Sequence, residues 1–310
     1  MESIEYKILD ICRNNYHYLM TLKNVKGVGF GLKEINGIKT LEPCVHVLVE
    51  KKLDRLCLTS NNVIPKFYMG IKTDVINVGN VRAFSASPIT KKFRPLQGGC
   101  SIAVQNGTED GTMGCIVERG FVKKEYFILS NNHVLSEFGK NPIGSAIVQP
   151  SDTYGGTLKD TVAYLSEAIP IKFIKGIKSP INLVDCAIGK VTNKSLISKI
   201  IYQIGNVKGT NKAILNENVK KTGFITGLTK GVVKTIGLTQ HVEFSPTKTA
   251  IFKEQILFDL KGGPGDSGSV ILNKYNQVIA LLIGGSETEN IALGNDINIV
   301  LKQLNVSIYK

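Results

Sequence analysis

From residue 98 onward the chain is a succession of short apolar runs, each interrupted by glycine, asparagine or aspartate. Tyr126-Phe127-Ile128-Leu129 and Val270-Ile271-Leu272 are examples. Runs this short suit strands, and many strands with frequent turns predict a mainly β domain built as a barrel or sandwich. The upstream part reads differently. Ile4, Ile8, Ile11 and Leu19 fall near helical spacing, which predicts an amphipathic helix over 3–22. Residues 25–33 and 43–50 alternate like strands, with an Asn-Gly hairpin signal in Ile35-Asn36-Gly37-Ile38. Asn62-Val63-Ile64-Pro65 reads as a turn and Thr73–Gly79 as another strand. Residues 1–80 are therefore expected to form a small α+β module. Ser85, Ser87, Pro88, Lys91, Lys92, Arg94 and Pro95 mark 81–97 as a linker, and 98–310 as a second domain. Near its end, Asp296–Leu304 predicts a helix over about 296–305, capped by Asn295 or Asp296. At 310 residues, 43% of them hydrophobic, the chain can bury more than one core.

Within the second domain one stretch carries chemistry: Lys261-Gly262-Gly263-Pro264-Gly265-Asp266-Ser267-Gly268-Ser269. Glycine permits backbone conformations that a Cβ forbids. Such a turn can aim several N–H groups at one point beside a hydroxyl, the pairing of nucleophile and oxyanion hole that acyl transfer needs. A hydroxyl is a weak nucleophile, so Ser267 requires a base, and the base an orienting acid.

Four histidines are available, and none follows Ser267. The α/β-hydrolase order of serine, acid, histidine is thereby excluded. His133 ends the strand-like run Tyr126–Asn132, where a base would be held rigidly. His17 falls in the predicted helix, His46 alternates within a strand, and His241 lies among polar residues between strands, exposed. For the acid, Asp185 interrupts the apolar run Ile181–Gly189, and a carboxylate there needs a partner such as an imidazole N–H. Asp152 and Asp160 lie in polar, loop-like surroundings. The resulting order is His133, Asp185, Ser267, with spacings of 52 and 82 residues.

These three contexts resemble the signatures of the chymotrypsin/trypsin-like serine proteases, over roughly residues 96–305. Lys221–Gly231 and Val25–Gly31 resemble segments of intracellular bacterial and plant members, the group that includes the plant narrow-leaf proteases. The resemblance implies a chymotrypsin-like double β-barrel, with barrels near 98–195 and 200–295 and a site between them. It implies Ser267 as nucleophile, His133 as general base and Asp185 as its orienting acid. The N–H groups of Gly265 and Ser267 would form the oxyanion hole, and Asp266 would set the turn. Lys261, six residues before Ser267, would floor the primary specificity pocket, so basic preference is not expected and an acidic or polar side chain is. Gly284, Gly285 and Ser286 would line the edge that pairs with substrate. The sequence departs from the secreted pattern at Asn131-Asn132-His133-Val134, where Val134 removes the cysteine of a common bridge.

Six cysteines without a Cys-x-x-Cys pair argue against a zinc site and fit buried thiols in a reducing compartment. No cofactor is implied. The charged start Met1–Lys7 lacks a signal-peptide core, and no apolar run approaches the ~20 residues of a membrane helix, so a cytoplasmic protein without membrane contact is expected. The net charge of +13 attracts acidic partners, but its lysines are scattered in short pairs such as Lys91-Lys92. That reads as a lysine-rich surface before a nucleic-acid site. The favoured reading is a regulated serine endopeptidase with a restricted protein substrate and a regulatory partner or module. The alternative is a latent or inactive protease fold that binds proteins.

Overall fold

The computed structural model describes residues 3–35, 37–54, 58, 62–79, 89–286 and 288–310. The chain begins with two helices, α1 (Ile4–Asn14) and α2 (His17–Thr21), where one was expected. Ser3 caps α1, and Ile8, Ile11 and Cys12 face inward. The break follows from Asn14 and Asn15, poor helix formers whose side chains both bond to Asp10. Strands β1 (Val25–Ile35) and β2 (Ile38–Val49) pair antiparallel, with Ile35 opposite Ile38. That register leaves a two-residue turn as expected; Gly37 has φ +79°, and Asn36 lies outside the described residues. The short β3 (Phe67–Tyr68) pairs with β4 (Ile71–Asn77), which runs parallel to β2. The helices cover Val28, Phe30, Val45, Val47 and Val49, on one face of this sheet.

The next part holds β5 (Ser101–Val104), β6 (Asp110–Thr112), β7 (Ile116–Arg119), β8 (Glu125–Ser130), the one-turn helix α3 (Asn132–Leu135), β9 (Ala146–Val148) and β10 (Thr161–Ala168). After β11 (Ile181–Asn182) comes β12 (Ala187–Val191). The sheet order is β7-β8-β12-β10-β9-β5-β6. It closes because the segment between β6 and β7 bonds both ways: Met113 N to Cys100 O, and Gly114 N to Leu129 O. Ile102, Ile116, Ile128, Ile147 and Leu165 fill this first barrel.

A short pair, β13 (Ile200–Ile201) and β14 (Gly205–Asn206), leads to β15 (Asn218–Gly223), β16 (Gly227–Ser245), β17 (Lys248–Leu260), β18 (Val270–Asn273), β19 (Val278–Ser286) and β20 (Ile291–Asp296). These last six form a closed ring, β15-β16-β17-β20-β19-β18 and back to β15. Val233, Ile256, Phe258, Ile271 and Leu282 belong to its core. The expected C-terminal helix is α4 (Ile297–Gln303), capped by Asp296, and β21 (Ser307–Ile308) returns to pair with β7.

Three features differ from expectation. His241 is within β16 and half-buried, because β16 and β17 run on as one long bulged hairpin. The amino-terminal module is not detached: Gly27–Phe30 of β1 pairs with Ile236–Gln240 of β16, so both parts share one 11-stranded sheet. Of the expected linker, 81–88 lies outside the described residues, while Ile89, Phe93 and Leu96 are buried in the first barrel's core. Apolar side chains before, among and after Lys91, Lys92 and Arg94 hold that stretch down despite its basic, proline-containing composition. The five described cysteines, Cys12, Cys44, Cys100, Cys115 and Cys186, are buried free thiols, while Cys57 lies outside the described residues. Burial pushes Cys100 and Cys115 up to about 12, so these thiols are unreactive at neutral pH. Among the described residues no helix is long and apolar enough to cross a membrane.

Candidate active site between the two barrels

Strand β8 is buried toward its end and delivers Asn131 in extended conformation to the start of α3. His133 therefore sits where a rigid strand stops, with its side chain 5% exposed. Asp185, fully buried just before β12, meets it. Asp185 Oδ2 bonds the imidazole Nδ1, and Oδ1 accepts from the backbone N–H groups of Asn132 at 2.7 Å and His133 at 3.2 Å. The acid is itself gripped. Its backbone N–H donates to Asn295 Oδ1 at 2.9 Å, and its carbonyl accepts from Asn131 Nδ2 at 2.7 Å. The sequence-nominated acid and imidazole are thus brought together, with the carboxylate's charge met by donors rather than left bare.

The serine turn lies between β17 and β18. Gly265 and Gly268 have φ of +100° and +91°, the left-handed region that glycine occupies without strain. Barrel one holds this turn from its side. Thr112 N donates to Ser267 O at 2.8 Å, and Thr112 Oγ1 donates to Gly265 O at 2.7 Å. Ser130 Oγ bonds Thr112 O at 2.8 Å, tying the turn to the strand that carries His133. A Cβ on Gly268 would lie 2.1 Å from Ser130 Oγ and 2.3 Å from Thr112 O. Gly268→Ala is accordingly expected to cost more than the ~1–3 kcal/mol of a strained φ alone. A lowered urea midpoint, with little residual activity, is the measurable outcome.

Asp266 is fully buried. Its Oδ1 accepts from Ile225 N and Thr226 N at 3.0 and 3.2 Å. Its Oδ2 accepts from Lys221 Nζ at 2.7 Å, Thr226 Oγ1 at 2.6 Å and Gly263 N at 3.0 Å. Lys221 has no exposed side-chain surface either. Burial pushes its pKa below the usual lysine value, and the Asp266 carboxylate pulls back against that. With Gly263, Ile225 and Thr226 all fastened to one carboxylate, the turn has little freedom. Among the described residues the N–H groups of Gly265 and Ser267 bond to nothing else in the chain.

Ser267 Oγ, in a residue 2% exposed, donates to Ile283 O at 2.7 Å rather than to His133. Ile283 begins the portion of β19 nominated as the substrate edge. Gly284, Gly285 and Ser286 pair with Leu293, Ala292 and Ile291 on one side, while β18 pairs only as far as Leu281. The module's exit runs close by: a Cβ on Gly79 would lie 2.8 Å from Ser286 Oγ. The chain is described again at Ile89, whose N–H donates to Phe224 O at 2.6 Å, and a Cβ on Gly265 would meet the Phe224 ring. Lys261 follows β17 with its side chain exposed.

Several residues here were not nominated from sequence. Phe244, near the tip of the β16–β17 hairpin, has its ring centroid 5.5 Å from that of His133, and Phe138 lies at 6.4 Å. Lys248 Nζ sits 4.5 Å from the Phe138 centroid, a cation–π geometry. Glu109 is nearby, its carboxyl pushed up chiefly by burial and drawn down by His133. For Lys221 a signal existed. Lys220-Lys221 falls in a strand, where successive side chains take opposite faces, so one of the two had to point inward.

Neither a family model nor a curated protein matches this sequence. Solved structures do. Protease A of Thermobifida fusca aligns at 16% identity and a TM-score of 0.50, covering 69% of this chain and 98% of that one. The Nocardiopsis protease aligns at 16% identity and a TM-score of 0.51, again over 69% and 98%. The fold is that of the chymotrypsin-like serine proteases. At this identity the likeness speaks for the double barrel and not for the chemistry. The remaining third of the chain has no counterpart within those alignments.

Proposed function

We propose that the chain is a serine endopeptidase working through His133, Asp185 and Ser267. The observation that carries this reading is the buried His133–Asp185 pair beside a clamped serine turn, on a fold whose solved examples include proteases. Ser267 Oγ would leave Ile283 O, give its proton to His133 Nε2 and attack the scissile carbonyl. Asp185 would hold the Nδ1–H tautomer and offset the imidazolium charge. The unengaged N–H groups of Gly265 and Ser267 would receive the oxyanion. Gly284, Gly285 and Ser286 offer one unpaired strand edge to substrate backbone, a mode that favours affinity over sequence choice. Lys261 would favour an acidic or polar residue at the cleaved position, to be read from a peptide library. Five buried thiols fit a cytoplasmic protein. The position of Gly79 beside Ser286 supports a regulatory role for residues 1–80 and a restricted protein substrate.

A latent fold is the second reading, favoured by the serine hydroxyl resting on Ile283. One experiment separates the two. A fluorophosphonate probe is expected to label the wild type and fail on Ser267→Ala, with His133→Ala labelled far more slowly. A folded wild type that labels no better than Ser267→Ala would leave the endopeptidase reading without support.

A further inference from the structure

Among the described residues, one group of cysteine, histidine and acidic side chains lies close enough together to hold a metal ion: Cys44, His46 and Asp74. Cys44 and His46 stand two apart on β2 and so share a face, while Asp74 stands opposite His46 across the parallel β2–β4 pair. One donor atom from each lies within 4.8 Å of the other two. Bonds of ~2.0–2.3 Å in a tetrahedral site put donors about 3.5 Å apart, so side-chain movements of roughly 1 Å close the set.

The imidazole is prepared for such a role. His46 Nε2 lies 3.1 Å from Leu32 O, which places the proton there and leaves the lone pair on Nδ1. A carbonyl that fixes the tautomer in this way is the usual outer partner of a metal-bound histidine. Nδ1 now accepts from Thr235 Oγ1 at 2.8 Å, a neutral hydroxyl that can turn aside. Gly31 makes room for the ring, since a Cβ there would lie 1.9 Å from Cε1. Asp74 Oδ2 accepts from Glu34 N at 2.8 Å, and Oδ1 lies 3.8 Å from Lys33 Nζ. Lys33 also donates to Thr73 O at 3.0 Å, so it keeps a partner if a dication takes over the carboxylate.

We propose that Cys44, His46 and Asp74 bind a single divalent cation of the zinc class, with one water as fourth ligand. A thiolate and a carboxylate neutralise the dication, and the Cys44 proton passes to solvent on binding. Mixed sulfur, nitrogen and oxygen donors suit zinc over magnesium or calcium. Because Thr235 belongs to β16, the ion would sit where the amino-terminal module meets the second barrel. The ligands come from two strands, so no Cys-x-x-Cys pair is needed to bring them together. Cobalt(II) titration of the reduced, chelator-treated 310-residue chain tests this without reference to catalysis. One equivalent is expected to give a thiolate-to-cobalt charge-transfer band and tetrahedral visible bands, both displaced by zinc. Folded Cys44→Ser should lose the charge-transfer band, Cys57→Ser should keep it, and Asp74→Asn should weaken cobalt binding at least tenfold. No band in the wild type, or a band surviving in folded Cys44→Ser, overturns the proposal. If Cys44→Ser does not fold, unchanged cobalt affinity in Asp74→Asn overturns it instead.

Discussion

If His133, Asp185 and Ser267 act as proposed, Asp185→Asn is expected to cut kcat by about 10⁴-fold with a small effect on KM, the size of effect that a wrongly held imidazole tautomer gives. The cause is the proton's location. An asparagine can still accept from Asn132 N and His133 N with its oxygen, so the loop stays in place. Its NH₂ then faces His133 Nδ1 and holds the lone pair there. The proton moves to Nε2, which can no longer take one from Ser267. Asn295 and Asn131 grip the backbone of residue 185, so geometry is preserved while the tautomer is wrong. Steady-state kinetics on a peptide substrate, with circular dichroism as a check on folding, give the result. Activity within tenfold of wild type would remove Asp185 from the mechanism.

Lys221→Met is expected to cost about 3–5 kcal/mol and most of the activity. Removing one member of a buried pair leaves the other charge without its main compensation. Asp266 would keep its donors from Ile225, Thr226 and Gly263, but a carboxylate with no exposed surface needs more than neutral donors. The turn would reorganise to hydrate it, carrying the Gly265 and Ser267 N–H groups with it. Adding Asp266→Asn to Lys221→Met removes the stranded charge and keeps an acceptor for Ile225 and Thr226. The double variant should therefore regain part of the lost stability. Urea midpoints of the wild type, both single variants and the double variant measure the coupling. A Lys221→Met midpoint equal to wild type would show that the pair does not hold the turn.

Local features were the legible ones. The left-handed positions in the serine turn announce themselves as glycines, and His133 at a strand end follows from an apolar run that stops. The pairing of Asp185 with His133 could be guessed because a buried carboxylate has few affordable partners. What stayed hidden depends on contacts between distant segments. Nothing local in Gly27–Phe30 says that its free edge meets Ile236–Gln240, since a strand's edge partner leaves no mark on its own alternation. The same holds for Thr112, an ordinary threonine until the second barrel's turn arrives against it. Ile89, Phe93 and Leu96 were outvoted by their basic neighbours, although three apolar side chains in eight residues are enough to seat a segment on a core.

The pairing of β1 with β16 bears on any shortened version of this protein. A chain starting after the module would present Ile236–Gln240 as a row of unsatisfied amide and carbonyl groups in the middle of a long ribbon, a template on which second copies can stack. Such a fragment should self-associate, so its kinetics would report on aggregation as well as on the missing residues.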